Sequence, residues 1–169
     1  AIAANTLNAE IRAVISNIDN AYGLERARKA GIKTHLVEHR AFTSREVFDQ
    51  ALQQTINPYA PDLICLAGFM RRLGAEFVRH YANKIINIHP SLLPKYPGLN
   101  THAKAIAAKD ALHGATVHFV TEELDAGPII SQMETAVFAD DTVASLKQRV
   151  QRLEHQLYPQ TLQQLSCVM

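Results

Sequence analysis

The sequence predicts an α/β protein: a mostly parallel sheet with helices on both faces. Three observations carry that expectation. Short apolar runs of strand length alternate with segments of helical period, the signature of successive βαβ units. Residues 62–67 form a near-continuous apolar run bounded by turn residues, as in a strand buried on both faces. No repeat, linker or low-complexity stretch interrupts the alternation, so the 169 residues read as one domain with one sizeable core.

Taken in order, residues 11–16 are a β-rich run, and residues 23–30 a helix that Gly31 closes. Residues 35–37 read as a short strand. Thr43 is the expected N-cap of the next helix, with Glu46 three residues on as in a capping box. Val47, Phe48, Ala51, Leu52 and Ile56 give that helix one apolar face, and Pro58 and Pro61 end it. The strand at 62–67 follows, then a short helix at 77–81 and a second buried strand at 84–89. Residues 90–98 hold three prolines and a glycine and must be a rigid loop. A helix at about 101–109 precedes strands at 115–120 and 129–137. Thr142 then caps a long helix whose Val143, Leu146, Val150, Leu153 and Leu157 repeat at three and four.

Composition excludes several function classes. Hydrophobic residues make up 47% and charged residues 20%, with a net charge of +1, so no strong field draws the chain to nucleic acid or to a membrane. No segment nears the roughly 20 apolar residues of a bilayer span, and residues 1–13 lack a signal peptide's apolar stretch. Cys65 and Cys167 form no C-x-x-C pair, which argues against a disulfide framework or a zinc site. The expected setting is the reducing cytoplasm. His35, His39, His80, His113 and His155 lack clustered partners, so no metal is expected.

Open α/β sheets place ligands at the carboxyl ends of their strands. The strand at 84–89 ends in Asn87 and His89, two apart and therefore on one face. An amide and an imidazole aimed together into a crevice can polarise a carbonyl and manage a proton. The same pair also fits a loop-capping Asn and a His satisfied by backbone. Asp125, followed by Ala-Gly-Pro, is equally open between a turn cap and a proton carrier.

The wider strings bear on both. Asn87-Ile-His-Pro-Ser-Leu-Leu-Pro-Lys-Tyr-Pro-Gly98, with Thr101-His102 beyond, resembles a signature of the phosphoribosylglycinamide formyltransferases. His113-Gly-Ala-Thr-Val-His-Phe-Val-Thr-Glu-Glu-Leu-Asp-Ala-Gly-Pro-Ile-Ile130 is similar to the family's second signature, and Leu66-Ala-Gly-Phe-Met-Arg-Arg-Leu73 to its folate-side loop. The three blocks lie in the family's order and span essentially the whole chain.

That resemblance implies a Rossmann-like formyltransferase fold. It implies transfer of a formyl group from 10-formyltetrahydrofolate to the amine of glycinamide ribonucleotide, a step of de novo purine biosynthesis. Asn87 would hydrogen-bond the formyl oxygen as it becomes an oxyanion, His89 would stabilise that oxygen and assist proton transfer, and Asp125 would help carry the proton from the attacking amine to the folate nitrogen. Phe69, Met70, Arg71 and Leu73 would contact the folate on one side, and Val120, Thr121 and Glu122 on the other. Met70, Asn87 and Glu154 would meet the ribonucleotide, Glu154 through the ribose hydroxyls. His102 and His118 match family positions near the site. Each also has an ordinary reading: Leu73 as core, Glu154 as a solvated helix residue, His118 as a packed histidine. The substrates are small molecules, with no nucleic acid or membrane partner, and the chain is expected to be a monomer or a homodimer.

The family begins with a strand and a glycine-rich turn that cradles the substrate phosphate at a helix N-terminus. No such segment is present, and residues 1–10 read as the tail of the helix that should follow it. The family also continues for some tens of residues past the position of Met169. The expectation is a chain truncated at both ends that lacks the first strand, whose loss leaves neighbouring strands with unpaired backbone groups. Three alternatives stand beside the transferase. A 10-formyltetrahydrofolate hydrolase uses a similar trio but carries an extra domain. A methionyl-tRNA formyltransferase needs a further C-terminal domain and a basic RNA surface. The third is an inactive folate-binding fragment.

Overall fold

The computed structural model describes residues 1–4 and 6–167. Strands and α-helices alternate through them as β1 (Val14–Ser16), α1 (Tyr22–Lys29), β2 (Thr34–Leu36), α2 (Arg45–Ile56), β3 (Ile64–Leu66), α3 (Ala75–His80), β4 (Ile85–His89), α4 (Thr101–Ala107), β5 (Leu112–Phe119), β6 (Ile129–Ala136) and α5 (Val143–Ser166). β1 and β2 pair in parallel as a two-stranded sheet. A second sheet runs β3-β4-β5-β6, with β3 parallel to β4 and the remaining pairs antiparallel. The α/β class is as expected, and the antiparallel β5–β6 pair follows from a connection too short for a crossover helix.

Several local expectations are corrected. Residues 1–10 do not continue a helix: Ile2–Ala4 forms one 3₁₀ turn, and Ala4 N and Thr6 N both bond Ala1 O. The N-cap of α2 is Ser44, not Thr43. Ser44 is extended, and its hydroxyl accepts from Val47 N at 3.3 Å, so the acceptor stands three residues before the N–H it satisfies. Glu46 therefore falls one position short of a capping box. β3 is not buried on both faces: Ile64 and Leu66 are half-buried and Cys65, on the opposite face, is exposed. The long helix starts where expected, with Thr142 accepting from Ser145 N and Ser145 returning the bond to Thr142 N. It then continues past Leu157 and through Pro159 to Ser166.

β4 shows how the layers are divided. Ile85 belongs to a core cluster with Phe48, Leu52, Phe77 and Val78 of α2 and α3, while Ile86 joins Val117 of β5 and Leu146, Val150 and Leu157 of α5. Adjacent strand residues face opposite layers, so β4 is sealed on both faces. Each fully buried Leu, Ile or Val of this kind stabilises the fold by about 1.5–3 kcal/mol relative to exposure. Tyr158 of α5 locks the strands from below, its hydroxyl donating to Leu66 O at 2.9 Å and Ile86 O at 3.3 Å. The sealed pair of layers holds the carboxyl end of β4 at a fixed height, which is where the polar residues collect.

Candidate active site

Asn87 and His89 end β4, and register pairs Asn87 with His118 of β5. The His118 ring is fixed by its own backbone: Nδ1 donates to Phe119 O at 2.9 Å. That leaves Nε2 as an acceptor, and it takes a hydrogen bond from Asn87 Nδ2 at 3.3 Å. Burial lowers the His118 pKa and so favours the neutral ring, opposed first by the Phe119 carbonyl and then by the charge of Asp125.

Asp125 lies in the loop between β5 and β6 with a left-handed backbone (φ 51°), a conformation that Asp tolerates better than most residues. Its Oδ2 accepts from Gly98 N at 2.8 Å and stands 3.4 Å from His89 Nδ1, while its Oδ1 stands 3.7 Å from His118 Nε2. His89 Nε2 in turn donates to Tyr96 O at 2.9 Å. Both nitrogens of the His89 ring thus face acceptor oxygens. The His89 side chain is 7% exposed and that of Asp125 10%, so the pair interacts with little screening by water.

The proline-rich loop is held from beneath. Thr116 Oγ1 donates to Ser91 O at 2.6 Å and accepts from Leu93 N and Gln132 Nε2. Ser91 Oγ closes the turn by donating to Lys95 O at 2.6 Å. These bonds deliver Tyr96 O to His89 and Gly98 N to Asp125, so the loop's rigidity is what fixes the two groups.

A cavity of about 90 Å³ opens beside the trio. Its walls include Phe69, Arg71 and Leu73 on the β3–α3 side, Val120, Thr121 and Glu122 after β5, and Asn87, His118 and Asp125 at its floor. Nine of the positions named from sequence are therefore brought together here, His118 among them. His89 reaches the cavity through Asp125. Met70 does not line the cavity and is 73% exposed. Glu154 sits on α5, outside the lining, where burial raises its carboxyl pKa against the pull of Lys147. It is half-buried rather than a freely solvated helix residue. His102 packs on His113, with ring nitrogens 3.1 Å apart, and does not line the cavity.

Leu66 and Arg72 of the matched 66–73 string and Glu123 and Leu124 of the 120–125 loop also line it, as does Val78 of α3, which sequence reasoning missed. Arg72 stands next to Arg71 in the same loop and donates to Glu122 O at 3.2 Å, and Arg79 pairs with the Glu122 carboxylate at 2.9 Å. The opposed charges in the two loops were a readable signal for that closure. Among the described residues, no group of three or more His, Cys, Asp or Glu side chains could hold a metal ion, and no helix is long and apolar enough to cross a membrane.

A family model described as formyl transferase matches residues 1–162. The chain belongs to the formyl transferase family. It is 54% identical over 155 residues to the phosphoribosylglycinamide formyltransferase of Escherichia coli K12, covering 92% of this chain and 73% of that protein. It is 46% identical over 162 residues to the trifunctional purine biosynthetic protein adenosine-3 of Drosophila melanogaster, covering 96% of this chain and 12% of that much longer one. The solved phosphoribosylglycinamide formyltransferase of Coxiella burnetii superposes with a TM-score of 0.91 at 55% identity, over 96% of this chain and 76% of that one. Over the matched residues this formyltransferase shares the fold of that relative.

Proposed function

We propose that this formyltransferase moves a formyl group from 10-formyltetrahydrofolate to the amine of glycinamide ribonucleotide. The observation that carries the reading is that Asn87 and Asp125, the latter backed by His89, line one cavity with an apolar wall. The folate fits the residues present: Phe69, Leu73, Val78 and Val120 offer an apolar slot for a flat ring, and Asp125 and the 121–123 backbone offer polar edges. When bound, the folate supplies the activated formyl carbon.

The chain's own groups then have separable tasks. The Asn87 amide donates to the formyl oxygen as negative charge grows there, and its orientation is set in advance by His118. The His89 ring stands on the same side and assists the proton transfer through Asp125. Its bonds to Tyr96 O and Asp125 hold the ring still. As the amine nitrogen bonds the formyl carbon, that nitrogen becomes acidic, and the bond from carbon to the folate nitrogen breaks only when that nitrogen is protonated. Asp125 moves the proton between the two, directly or through one water. Glu154 and Met70 are assigned to the ribonucleotide side, Glu154 through the ribose hydroxyls. This reading places the reaction in the cytoplasm and in purine biosynthesis, with one or two copies of the chain and small molecules as its only partners.

The test is loss of 10-formyltetrahydrofolate, followed spectroscopically with and without glycinamide ribonucleotide. Ribonucleotide-dependent loss supports the transferase. Loss that ignores the ribonucleotide would make the enzyme a hydrolase, and no loss at all would reject both.

A further inference from the structure

Asp49 is a buried carboxylate that the reaction above does not use. It sits on α2 beside Phe48 and Leu52, and is 6% exposed. Its Oδ2 accepts from Gly74 N at 2.7 Å, whereas its buried Oδ1 has no hydrogen-bond partner among the described residues. Burial raises its pKa, opposed by the Gly74 bond and then by the charge of Arg45. A side chain serving only to fill this space would do so better without charge.

Gly74 explains the carboxylate. It is the N-cap of α3 and has no side chain with which to satisfy that helix's first N–H groups. It also ends the loop that leaves β3 and forms one wall of the cavity through Phe69, Arg71, Arg72 and Leu73. The loop starts at Gly68, whose left-handed backbone (φ +66°) lets the chain turn off the strand. Its far end is held by the bond from α2. The approach is close: a Cβ on Gly74 would lie 2.8 Å from Asp49 Oδ2.

We propose that Asp49 is a positioning residue for the folate-side wall, anchoring the 68–74 loop through Gly74 N so that Phe69 and Leu73 present a preformed slot. The proposal rests on the formyl-transfer reading for the identity of the ligand. Asp49 touches neither reactant, so its effect belongs in folate binding and not in the chemical step. An amide oxygen at the same place accepts the same bond, so Asp49→Asn should keep folate binding, while Asp49→Ala releases the loop.

The experiment compares Asp49→Ala, Asp49→Asn and Gly74→Ala with the unmodified chain. It measures steady-state kinetics in both substrates and calorimetric binding of 10-formyltetrahydrofolate without ribonucleotide. Asp49→Ala and Gly74→Ala should raise the folate KM and Kd by roughly tenfold, the loss of one bond to a half-buried N–H. At saturating folate, kcat should stay within about threefold and the ribonucleotide KM should not move. Asp49→Asn should restore folate binding to within about threefold of the unmodified chain. Unchanged folate Kd in the Ala variants, an Asn variant as weak as Ala, or a parallel fall in kcat and both KM effects would each overturn the proposal. If Asp49→Ala does not fold, Gly74→Ala and Asp49→Asn decide the matter. Failure of the underlying reading looks different: the unmodified chain would then bind folate without transferring its formyl group.

Discussion

Asn87 and His118 face each other across the β4–β5 ladder, and a 3.3 Å hydrogen bond from the amide to the imidazole fixes which way the amide points. The acceptor is available only because His118 spends its own N–H on Phe119 O. Protonation would turn Nε2 into a donor and push the Asn87 N–H aside, so the lowered His118 pKa serves the orientation of Asn87. His118→Ala should therefore lower kcat by at least about tenfold, part of the loss expected for a misdirected oxyanion donor, with little change in folate KM. A variant with undiminished kcat would remove His118 from the reaction.

Asn87, His89 and Asp125 act on one oxygen and one proton, so their losses should not add. Asn87→Ala should cost on the order of 10²–10³ in kcat, the usual effect of removing an oxyanion donor. His89→Ala placed on top of it should cost less than it does alone, because residues that act as a unit are non-additive. The double-mutant cycle in kcat checks this. Strict additivity would show that the two groups act at separate steps, and normal activity in the double variant would dismiss the assignment.

How far the sequence disclosed this site can be argued from particular residues. The period-2 spacing of Asn87 and His89 was enough to place both on one strand face, and the strand-to-loop change at Pro90 put them at a carboxyl end. The 69–73 and 120–125 blocks were legible because they matched family strings, not because their apolar residues differ from core. Met70 was read with its neighbours but is turned outward, since adjacent residues in a loop follow no fixed period. Thr43 and Ser44 are both good caps, and only the observed bond to Val47 N separates them. Asp49 sits among the apolar positions of α2, and its pairing with Gly74 crosses 25 residues, a separation that local patterns do not report.

Gly127 illustrates a constraint of a different kind, set by backbone and not by chemistry. A Cβ there would lie 1.8 Å from Phe119 O, the carbonyl that His118 Nδ1 bonds. The neighbouring Phe119 N bonds Pro128 O at 2.9 Å, so the two segments cannot separate without breaking the ladder at its bulge. Gly127→Ala should thus destabilise the fold by about 4 kcal/mol or more, in the exceptional range that overpacking against fixed backbone can reach. Urea unfolding of the variant measures it. A loss below about 1 kcal/mol would mean that the loop can move away and that His118 is less firmly held.

Stability should also fall with acid in a way that one residue isolates. Burial, followed by the neighbouring His113, depresses the His102 pKa from 6.5 to about 4. Between those two values the unfolded chain takes up a proton that the folded chain refuses, so stability is fully present above pH 6.5 and declines as the pH falls towards 4. Burial of His113 and His118 acts in the same direction. The raised carboxyls of Asp49 and Glu154 oppose it, because the folded chain there holds protons that the unfolded chain has released. A plain melting curve mixes these signs, whereas the difference between the unmodified chain and His102→Asn separates one. Calorimetric Tm values taken from about pH 7 to about pH 5 should fall less steeply for the variant, and parallel curves would show that His102 titrates alike in the folded and unfolded states.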